Sequence, residues 1–382
     1  MRLKDCHNFH DFRKLAKKRL PAPIFHYIDG GADDELTYRR NTLAFEQCDL
    51  VPDVLAGVSS IDLSVTVLGQ KLDMPVYCSP TALQRLFHYQ GERAVAAAAQ
   101  KYGTLFGVSS LGTVSIEEIA QQVDTPQAYQ FYFHKDRELN KVMLARAKSA
   151  GVPVMMLTVD SITGGNRERD LRTGFSIPFH LNLSGLIQFA LKPAWAMNYF
   201  MHEKFSLPQL DSHVDMSAGV SSIGDYFTNM LDPSMNWDDV AQMVEQWDGQ
   251  FCLKGVMSRQ DARRAVEIGC TGIVVSNHGG RQLDGSRSSF DQLSEIVDEV
   301  GDEIDVLFDS GIQRGTHVLK ALSIGAKAVG IGRMYLFALA AAGQVGVERA
   351  LELMNKELER DMKLMGKTTI EQLNRDNLRF RQ

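Results

Sequence analysis

Two residues of complementary chemistry, His278 and Arg281, follow the apolar run Gly272-Ile273-Val274-Val275-Ser276-Asn277 and are separated by the pair Gly279-Gly280. An imidazole can take a proton near neutral pH, and a fixed planar cation can hold an anion. Successive β-branched residues suit a strand buried on both faces, and glycines free the backbone beyond it. The stretch through Asp284 therefore reads as a strand end that delivers side chains to a site. On these residues alone, a hydrogen-bonded core histidine and a surface arginine fit equally well.

Other chemistry-bearing positions share that ambiguity. Tyr27 sits before the pair Gly30-Gly31, so a phenol held in a loop and a buried structural tyrosine are both open readings. Lys254 ends an apolar run and could stabilise negative charge on a reduced ring or make a buried salt bridge.

The elements that must position these residues alternate regularly. Strand-length apolar runs fall at 74–79, 105–109, 127–132, 154–160, 251–255, 272–277, 305–309 and 328–332. Helical patterns separate them at 92–101, 115–123, 136–149, 237–247, 259–268, 290–300 and 316–324, and a long one follows from 335 to 365. Eight strand–helix alternations predict an α/β fold of (β/α)8 barrel type, with a doubly wound sheet as the alternative. Sites in this barrel lie at the C-terminal strand ends. Polar residues gather there: Thr81 after the first strand, Ser109 and Ser110, Gln130 and Tyr132, Thr158 and Asp160, Lys254, Ser276 and His278, Asp309 and Ser310, and Gly332-Arg333. Gly311 and Gly315 after strand seven, with Gly330, Gly332 and Arg333 after strand eight, suit a phosphate, so a phosphorylated cofactor is implied.

The whole chain is expected to form one domain: 1–73 as an N-terminal lid and helices, 74–334 as barrel with an insertion at 161–235, and 335–382 as C-terminal helices. Asn8 caps a first helix carrying Phe9, Phe12, Leu15, Ala16 and Leu20, closed by Pro21 and read as a lid or flap. Within the insertion, 183–201 carries one charge and aromatics at one end. Pro193 interrupts it, and it falls short of the ~20 apolar residues that span a bilayer. Two readings stay open: a segment in the membrane interface with Trp195, Tyr199 and Phe200 at headgroup level, and a loop buried over the site or between subunits.

Of 382 residues, 44% are hydrophobic and 23% charged, with a net charge of -6. There is no basic excess to attract nucleic acid. The start Met1-Arg2-Leu3-Lys4-Asp5 leads into no apolar run, so a cytoplasmic protein without a signal peptide is expected. Five cysteines without a C-x-x-C pair read as reduced core thiols. His202-Glu203 lacks the second histidine of a zinc-protease helix, and no metal site is expected. Gly366-Lys367-Thr368 lacks the first glycine of a phosphate loop, and no G-x-G-x-x-G follows a strand, which argues against a nicotinamide cofactor.

Ser276-Asn277-His278-Gly279-Gly280-Arg281-Gln282-Leu283-Asp284 resembles the signature of the FMN-dependent L-2-hydroxy acid dehydrogenases and oxidases. The likeness runs from about Phe12 to about Gly366. It takes in Tyr27 with Gly31, Ser79-Pro80-Thr81-Ala82, Gln130-Phe131-Tyr132, Leu157-Thr158-Val159-Asp160, Lys254-Gly255 and Ile331-Gly332-Arg333. The resemblance implies His278 as the base, with Asp160 stabilising its imidazolium and raising its pKa. It implies Arg281, Arg167 and Tyr27 on the substrate carboxylate and Tyr132 on the hydroxyl. Around FMN it implies Lys254 near N1 and O2, Thr81 in the flavin site, and Ser109, Gln130, Thr158 and Ser276 on the ring. Asp309 is implied on the ribityl chain, and Gly311, Gly332 and Arg333 on the phosphate.

Three departures stand out. Gln313 replaces a phosphate-binding arginine, for which Arg314 and Arg333 are expected to compensate. Leu111 replaces the tryptophan of glycolate oxidases. Phe87-His88-Tyr89 is bulkier than usual and is expected to narrow the pocket or shield the flavin. The stretches 25–32 and 166–170 resemble the bacterial respiratory members, where the insertion carries a membrane anchor. The resemblance thus implies oxidation of L-lactate to pyruvate, with electrons passed to a quinone or other respiratory acceptor. It also implies a homotetramer and peripheral attachment through 183–201 to the cytoplasmic face of the inner membrane. An oxidase producing hydrogen peroxide is the near alternative. An FMN-dependent isoprenoid diphosphate isomerase is the distant one, disfavoured by the carboxylate clamp of Arg281 with Tyr27.

Overall fold

In the computed structural model, which describes residues 1–175, 183–210 and 229–381, the chain begins with three helices. These are α1 (Phe9–Arg19), α2 (Ala22–Asp29) and α3 (Leu36–Leu43). Asn8 accepts a hydrogen bond from the Asp11 amide, and Lys17, Lys18 and Arg19 fill the last turn, so both ends of α1 suit the helix dipole. Short strands β1 (Cys48–Leu50), β2 (Val65–Val67) and β3 (Gln70–Leu72) lead into the barrel, β2 and β3 pairing antiparallel.

The first half of the barrel is β4 (Val76–Cys78), α4 (Glu92–Lys101), β5 (Phe106–Ser109), α5 (Ile116–Gln122), β6 (Gln127–Tyr132), α6 (Arg137–Ser149) and β7 (Val154–Thr158). After the insertion, with α7 (Glu168–Thr173), α8 (Leu183–Ala190) and α9 (Pro193–Phe200), the alternation resumes. It runs through α10 (Trp237–Trp247), β8 (Gln250–Val256), α11 (Arg259–Glu267), β9 (Gly272–Val275), α12 (Ser289–Val300), β10 (Asp305–Asp309), α13 (Gly315–Ile324), β11 (Ala328–Ile331) and α14 (Arg333–Met365). β4 to β11 pair in order as parallel neighbours, and β11 pairs with β4 to close the ring. The expected (β/α)8 barrel is therefore the fold. Every residue of β5, β6, β7, β9 and β11 is buried, because helices cover the outside and side chains fill the inside. Finally β12 (Leu378–Phe380) pairs antiparallel with β1, tying the two ends of the chain together.

Three expectations change at this level. Phe9 of α1 meets Phe337 of α14 with ring centroids 5.5 Å apart, and Phe12, Leu15 and Ala16 are buried with it; α1 is packed against α14, and its Phe9, with Tyr27 and Ile28 of α2, lines the cavity at the barrel mouth. Tyr27 lies in helix α2 rather than a loop, because Pro21 and Pro23 start a helix as readily as they end one. In the insertion, Trp195 is 6% exposed and donates from Nε1 to the Leu86 carbonyl at 2.7 Å, with Tyr199 stacked on it at 5.1 Å. Both rings turn inward, since an indole N–H beside a carbonyl is better placed in the protein. The outward apolar residues are Ile187, Leu191, Met197, Phe200 and Met201. Among the described residues, no helix is long and apolar enough to cross a membrane. Residues 176–182 and 211–228 of the expected insertion lie outside the described residues.

Candidate active site

The C-terminal strand ends, α2, α3 and the start of α7 surround one cavity of about 1220 Å³, counting the solvent at its mouth. His278 leaves β9 in the left-handed region at φ 58°, followed by Gly279 at 66° and Gly280 at 71°. A Cβ on Gly280 would stand 2.5 Å from the Tyr38 amide nitrogen, so the turn after the histidine requires glycine.

His278 Nδ1 lies 3.0 Å from Asp160 Oδ1, which also accepts from Ser161 Oγ at 2.8 Å. Gln282 Nε2 donates to the Asp160 carbonyl at 3.2 Å, fixing the loop that carries the carboxylate. With Asp160 ionised, Nδ1 carries the proton and Nε2 is left as the acceptor. Burial pulls His278 below its ordinary pKa, and Lys254 and Arg281 add to the pull. Asp160 acts in the opposite direction without prevailing. The expected rise of the histidine pKa is thus corrected to a fall, because desolvation of an imidazolium outweighs one carboxylate. Burial also opposes the charge of Asp160, but its interaction with the His278 ring, the Lys254 cation and the hydrogen bond from Ser161 keep that carboxyl below the usual range. Asp160 is therefore an anion and His278 a neutral base near neutral pH.

Opposite them, the end of α2 organises the cations. Arg281 Nη1 donates to the carbonyls of Tyr27 at 2.6 Å and Gly30 at 3.1 Å. Its guanidinium lies 4.9 Å from the centroid of the Tyr27 ring, and that of Arg167 lies 5.5 Å from it. These carbonyls are the unsatisfied, partly negative end of a helix, which suits arginine. Burial and the neighbouring Arg167 lower the Arg281 pKa to about 10, still charged at neutral pH. Tyr132 is 6% exposed, and burial pushes its phenol up, so it keeps its proton. Tyr27, Tyr132, Arg167, Arg281 and His278 line the same cavity.

Deeper in the mouth lies a polar layer. Ser109 Oγ donates to Gln130 Oε1 at 2.8 Å, and Gln130 Nε2 donates to Thr158 Oγ1 at 2.8 Å. Lys254 Nζ donates to Ser276 Oγ at 2.9 Å and pairs with Asp309 Oδ2 at 3.2 Å. Burial opposes the lysine's charge, but Asp309 and Asp160 outweigh it and hold its pKa above the ordinary value. Of the two sequence readings of Lys254, the buried salt bridge is present, and the same side chain lines the cavity. Thr81 is 2.6 Å from the Tyr335 hydroxyl, which itself donates to the Ser79 carbonyl at 2.7 Å.

At the far end, Gly311 takes φ 85°, and a Cβ there would stand 2.3 Å from the Asn41 carbonyl oxygen. A Cβ on Gly332 would meet nothing within 4 Å, leaving room beside its backbone. Arg333 donates to the carbonyls of Ile28, Gly279 and Gly30, at 2.9, 3.0 and 2.8 Å, over the ring of Tyr38. Two of its five N–H groups remain for a phosphate. Arg314 does not compensate for Gln313: it pairs with Glu357 at 2.9 Å, and Glu357 also takes the Gly315 amide at 2.7 Å. A carboxylate on α14 draws both residues out of the cavity. Gln313 lines it and donates to Thr42 Oγ1 at 3.2 Å.

Sequence reasoning missed Tyr38, Asn41 and Thr42 of α3, and Gln282 behind Asp160. The α3 residues lie more than two hundred positions from their partners, and no local pattern marks them. The glycine cradle with Arg333, the polar layer for a ring and the base beside the arginines fit FMN with an acid next to it. The fold and this arrangement define a class: a flavin-binding barrel oxidoreductase.

Comparison with known proteins gives the family. Residues 16–380 match the FMN-dependent dehydrogenase family. The chain is 40% identical over 369 residues to an L-lactate dehydrogenase of Xanthobacter autotrophicus, covering 96% of this chain and 95% of that one. It superposes on a monotopic membrane protein, (S)-mandelate dehydrogenase, with TM-score 0.93 at 34% identity, covering 98% of this chain and all of the other. A putative lactate oxidase of Pediococcus acidilactici gives TM-score 0.84 at 34% identity, over 99% and 96% of the two chains. The chain belongs to the FMN-dependent 2-hydroxy acid dehydrogenase family, and its cofactor is FMN.

Proposed function

We propose that this enzyme oxidises L-lactate to pyruvate and passes two electrons to a quinone or other respiratory acceptor. The observation that carries the reading is the His278 imidazole, held by Asp160 at 3.0 Å, in one cavity with two guanidinium groups and two phenols. Lactate is supported by the 40% identity to an L-lactate dehydrogenase. Leu111 lines the cavity wall where glycolate oxidases carry a tryptophan, and the smaller side chain leaves room for an acid larger than glycolate.

In this reading the Nε–Nη2 edge of Arg281 and the guanidinium of Arg167 hold the carboxylate, and Tyr27 adds a hydrogen bond. The Tyr132 phenol, kept protonated, meets the substrate hydroxyl. Nε2 of His278 takes a proton from the substrate, and Asp160 stabilises the imidazolium that forms. FMN, when bound, accepts the two electrons leaving the α-carbon. Lys254 puts a positive charge beside its ring, Ser109, Gln130, Thr158 and Ser276 supply ring contacts, and Asp309 serves the ribityl chain. Gly311, Gly332 and Arg333 hold the phosphate, with Thr81 completing the flavin site.

The acceptor reading draws on the insertion. Ile187, Leu191, Met197, Phe200 and Met201 are exposed on it, and Lys192 Nζ bonds the Lys18 carbonyl at 2.7 Å, joining this face to the basic end of α1. An apolar face with a basic rim suits an anionic membrane interface. Anaerobic bleaching of bound flavin by L-lactate, glycolate and L-mandelate tests cofactor, chemistry and specificity together. L-Lactate should bleach fastest, and no bleaching by any of them would overturn the reading. In air, hydrogen peroxide formed at the rate of substrate turnover would replace the dehydrogenase with an oxidase.

A further inference from the structure

The residues read above as carboxylate contacts come from separate segments. Tyr27 rides on α2, Arg167 on the lead into α7, and Arg281 on the loop after β9. Something must hold the first two in register, because neither belongs to the barrel. Asp29, the last residue of α2, has a side chain only 1% exposed. Its Oδ2 accepts from Arg13 Nη2 of α1 at 2.7 Å and from Arg169 Nη1 of α7 at 2.9 Å, and Arg13 Nε bonds Oδ1. The second arm of Arg169 pairs with Glu35, whose Oε1 takes the Gly31 amide at 2.9 Å. Beside this, Asp33 and Asn166 exchange two bonds, backbone to backbone and side chain to side chain, both 2.8 Å.

A buried carboxylate with three charge-assisted bonds is a rigid joint: Arg13 compensates its charge from α1, and Arg169 ties it to α7. Arg169 is two residues from Arg167, and Asp29 is two residues from Tyr27. The joint thus fixes the separation of the phenol and the guanidinium that stack beside Arg281, while touching neither His278 nor Asp160.

We propose that Asp29 and Arg169 form a clasp whose task is to position Tyr27 and Arg167 around the substrate carboxylate. They are positioning residues, and the inference rests on the hydroxy-acid reading of the cavity. Loosening the clasp costs acid affinity and leaves the proton-transfer apparatus in place.

The test uses FMN-loaded Arg169→Met and Asp29→Asn proteins, with oxalate as a small carboxylate that has no hydrogen to transfer. Oxalate dissociation constants come from flavin absorbance, limiting reduction rates by L-lactate from stopped flow, and FMN affinity from flavin fluorescence. The oxalate constant should rise about tenfold in both variants, as expected for misplaced positioning groups. The limiting rate should stay within about twofold and FMN affinity should be unchanged, the pattern of lost uniform binding. Arg169→Lys, which keeps one ionic arm, should recover part of the loss. Should Asp29→Asn fail to fold, Arg169→Met still decides, because it leaves Asp29 paired with Arg13. Oxalate affinity of Arg169→Met within about twofold of the parent would overturn the clasp, and so would a loss that tracks FMN affinity. Wild-type flavin that no acid bleaches would instead overturn the functional reading, so the two failures are distinct.

Discussion

Arg281→Lys keeps a positive charge and removes a fork. In the native cavity Nη1 is engaged by the carbonyls of Tyr27 and Gly30, at 2.6 and 3.1 Å, while Nε and Nη2 remain for a carboxylate. A lysine ammonium is a single point on a flexible stem and cannot cap the helix end and grip two oxygens together. The substitution therefore loses at least one charge-assisted hydrogen bond to the acid, worth about 1.5–3 kcal/mol. That converts to a fall in oxalate affinity of about 10- to 150-fold. Arg167 and the retained charge prevent a complete loss. The limiting rate of flavin reduction should fall less than the affinity, because Asp160 still holds His278. Titration of flavin absorbance with oxalate gives the first quantity and stopped-flow reduction by L-lactate the second. An affinity within about threefold of the parent would refute the carboxylate role, since that is less than one such bond.

His278→Gln should retain FMN but slow flavin reduction by about 10²- to 10⁴-fold, the usual worth of a positioned base; reduction near the parent rate would remove His278 from the mechanism. The pH profile follows from the lowered histidine pKa: the base is neutral above that pKa and charged below it. Reduction at low substrate should therefore be on its plateau at neutral pH and decline on acidification with an apparent pKa below 6.5, the ordinary value for histidine. A midpoint above that value would contradict the burial argument. Lys254→Met leaves Asp309 buried without its cation, so the folded protein should lose about 3–5 kcal/mol in denaturant unfolding. A loss below about 1 kcal/mol would mean that the pair is solvated.

The barrel was legible because each strand is a short apolar run and most of the helices between them, though not α4 or α13, begin at a recognisable cap. Ser115 accepts from the Glu118 amide and Asp136 from those of Glu138 and Leu139, where the sequence starts those helices. Strand ends located the polar residues for the same reason. Legibility failed where tertiary partners decide. Nothing near Arg314 announces Glu357, forty-three residues away and on α14. For Trp195 and Tyr199 a headgroup anchor and a buried loop stayed equally open, because the Leu86 carbonyl that receives the indole N–H lies 109 positions away. The histidine pKa went the wrong way because a neighbouring carboxylate is visible in a motif, whereas burial by the whole barrel mouth is not. The α3 residues were invisible for a further reason: Asn41 exchanges side-chain amide bonds with Asn277 at 2.8 and 2.6 Å across 236 positions.

The pairing of β1 with β12 bears on how the protein is made. Synthesis delivers domains from the N-terminus, yet Cys48–Leu50 find their strand partner only in Leu378–Phe380. α1 likewise waits for α14, and the carbonyls of Ile28 and Gly30 wait for Arg333. Segments within residues 9–50, made well before the barrel strands, are thus among the last to find their place. Cofactor capture should be a late event, after nearly all of the polypeptide has emerged, and nascent chains halted before the final strand should bind flavin poorly even when all eight barrel strands are present.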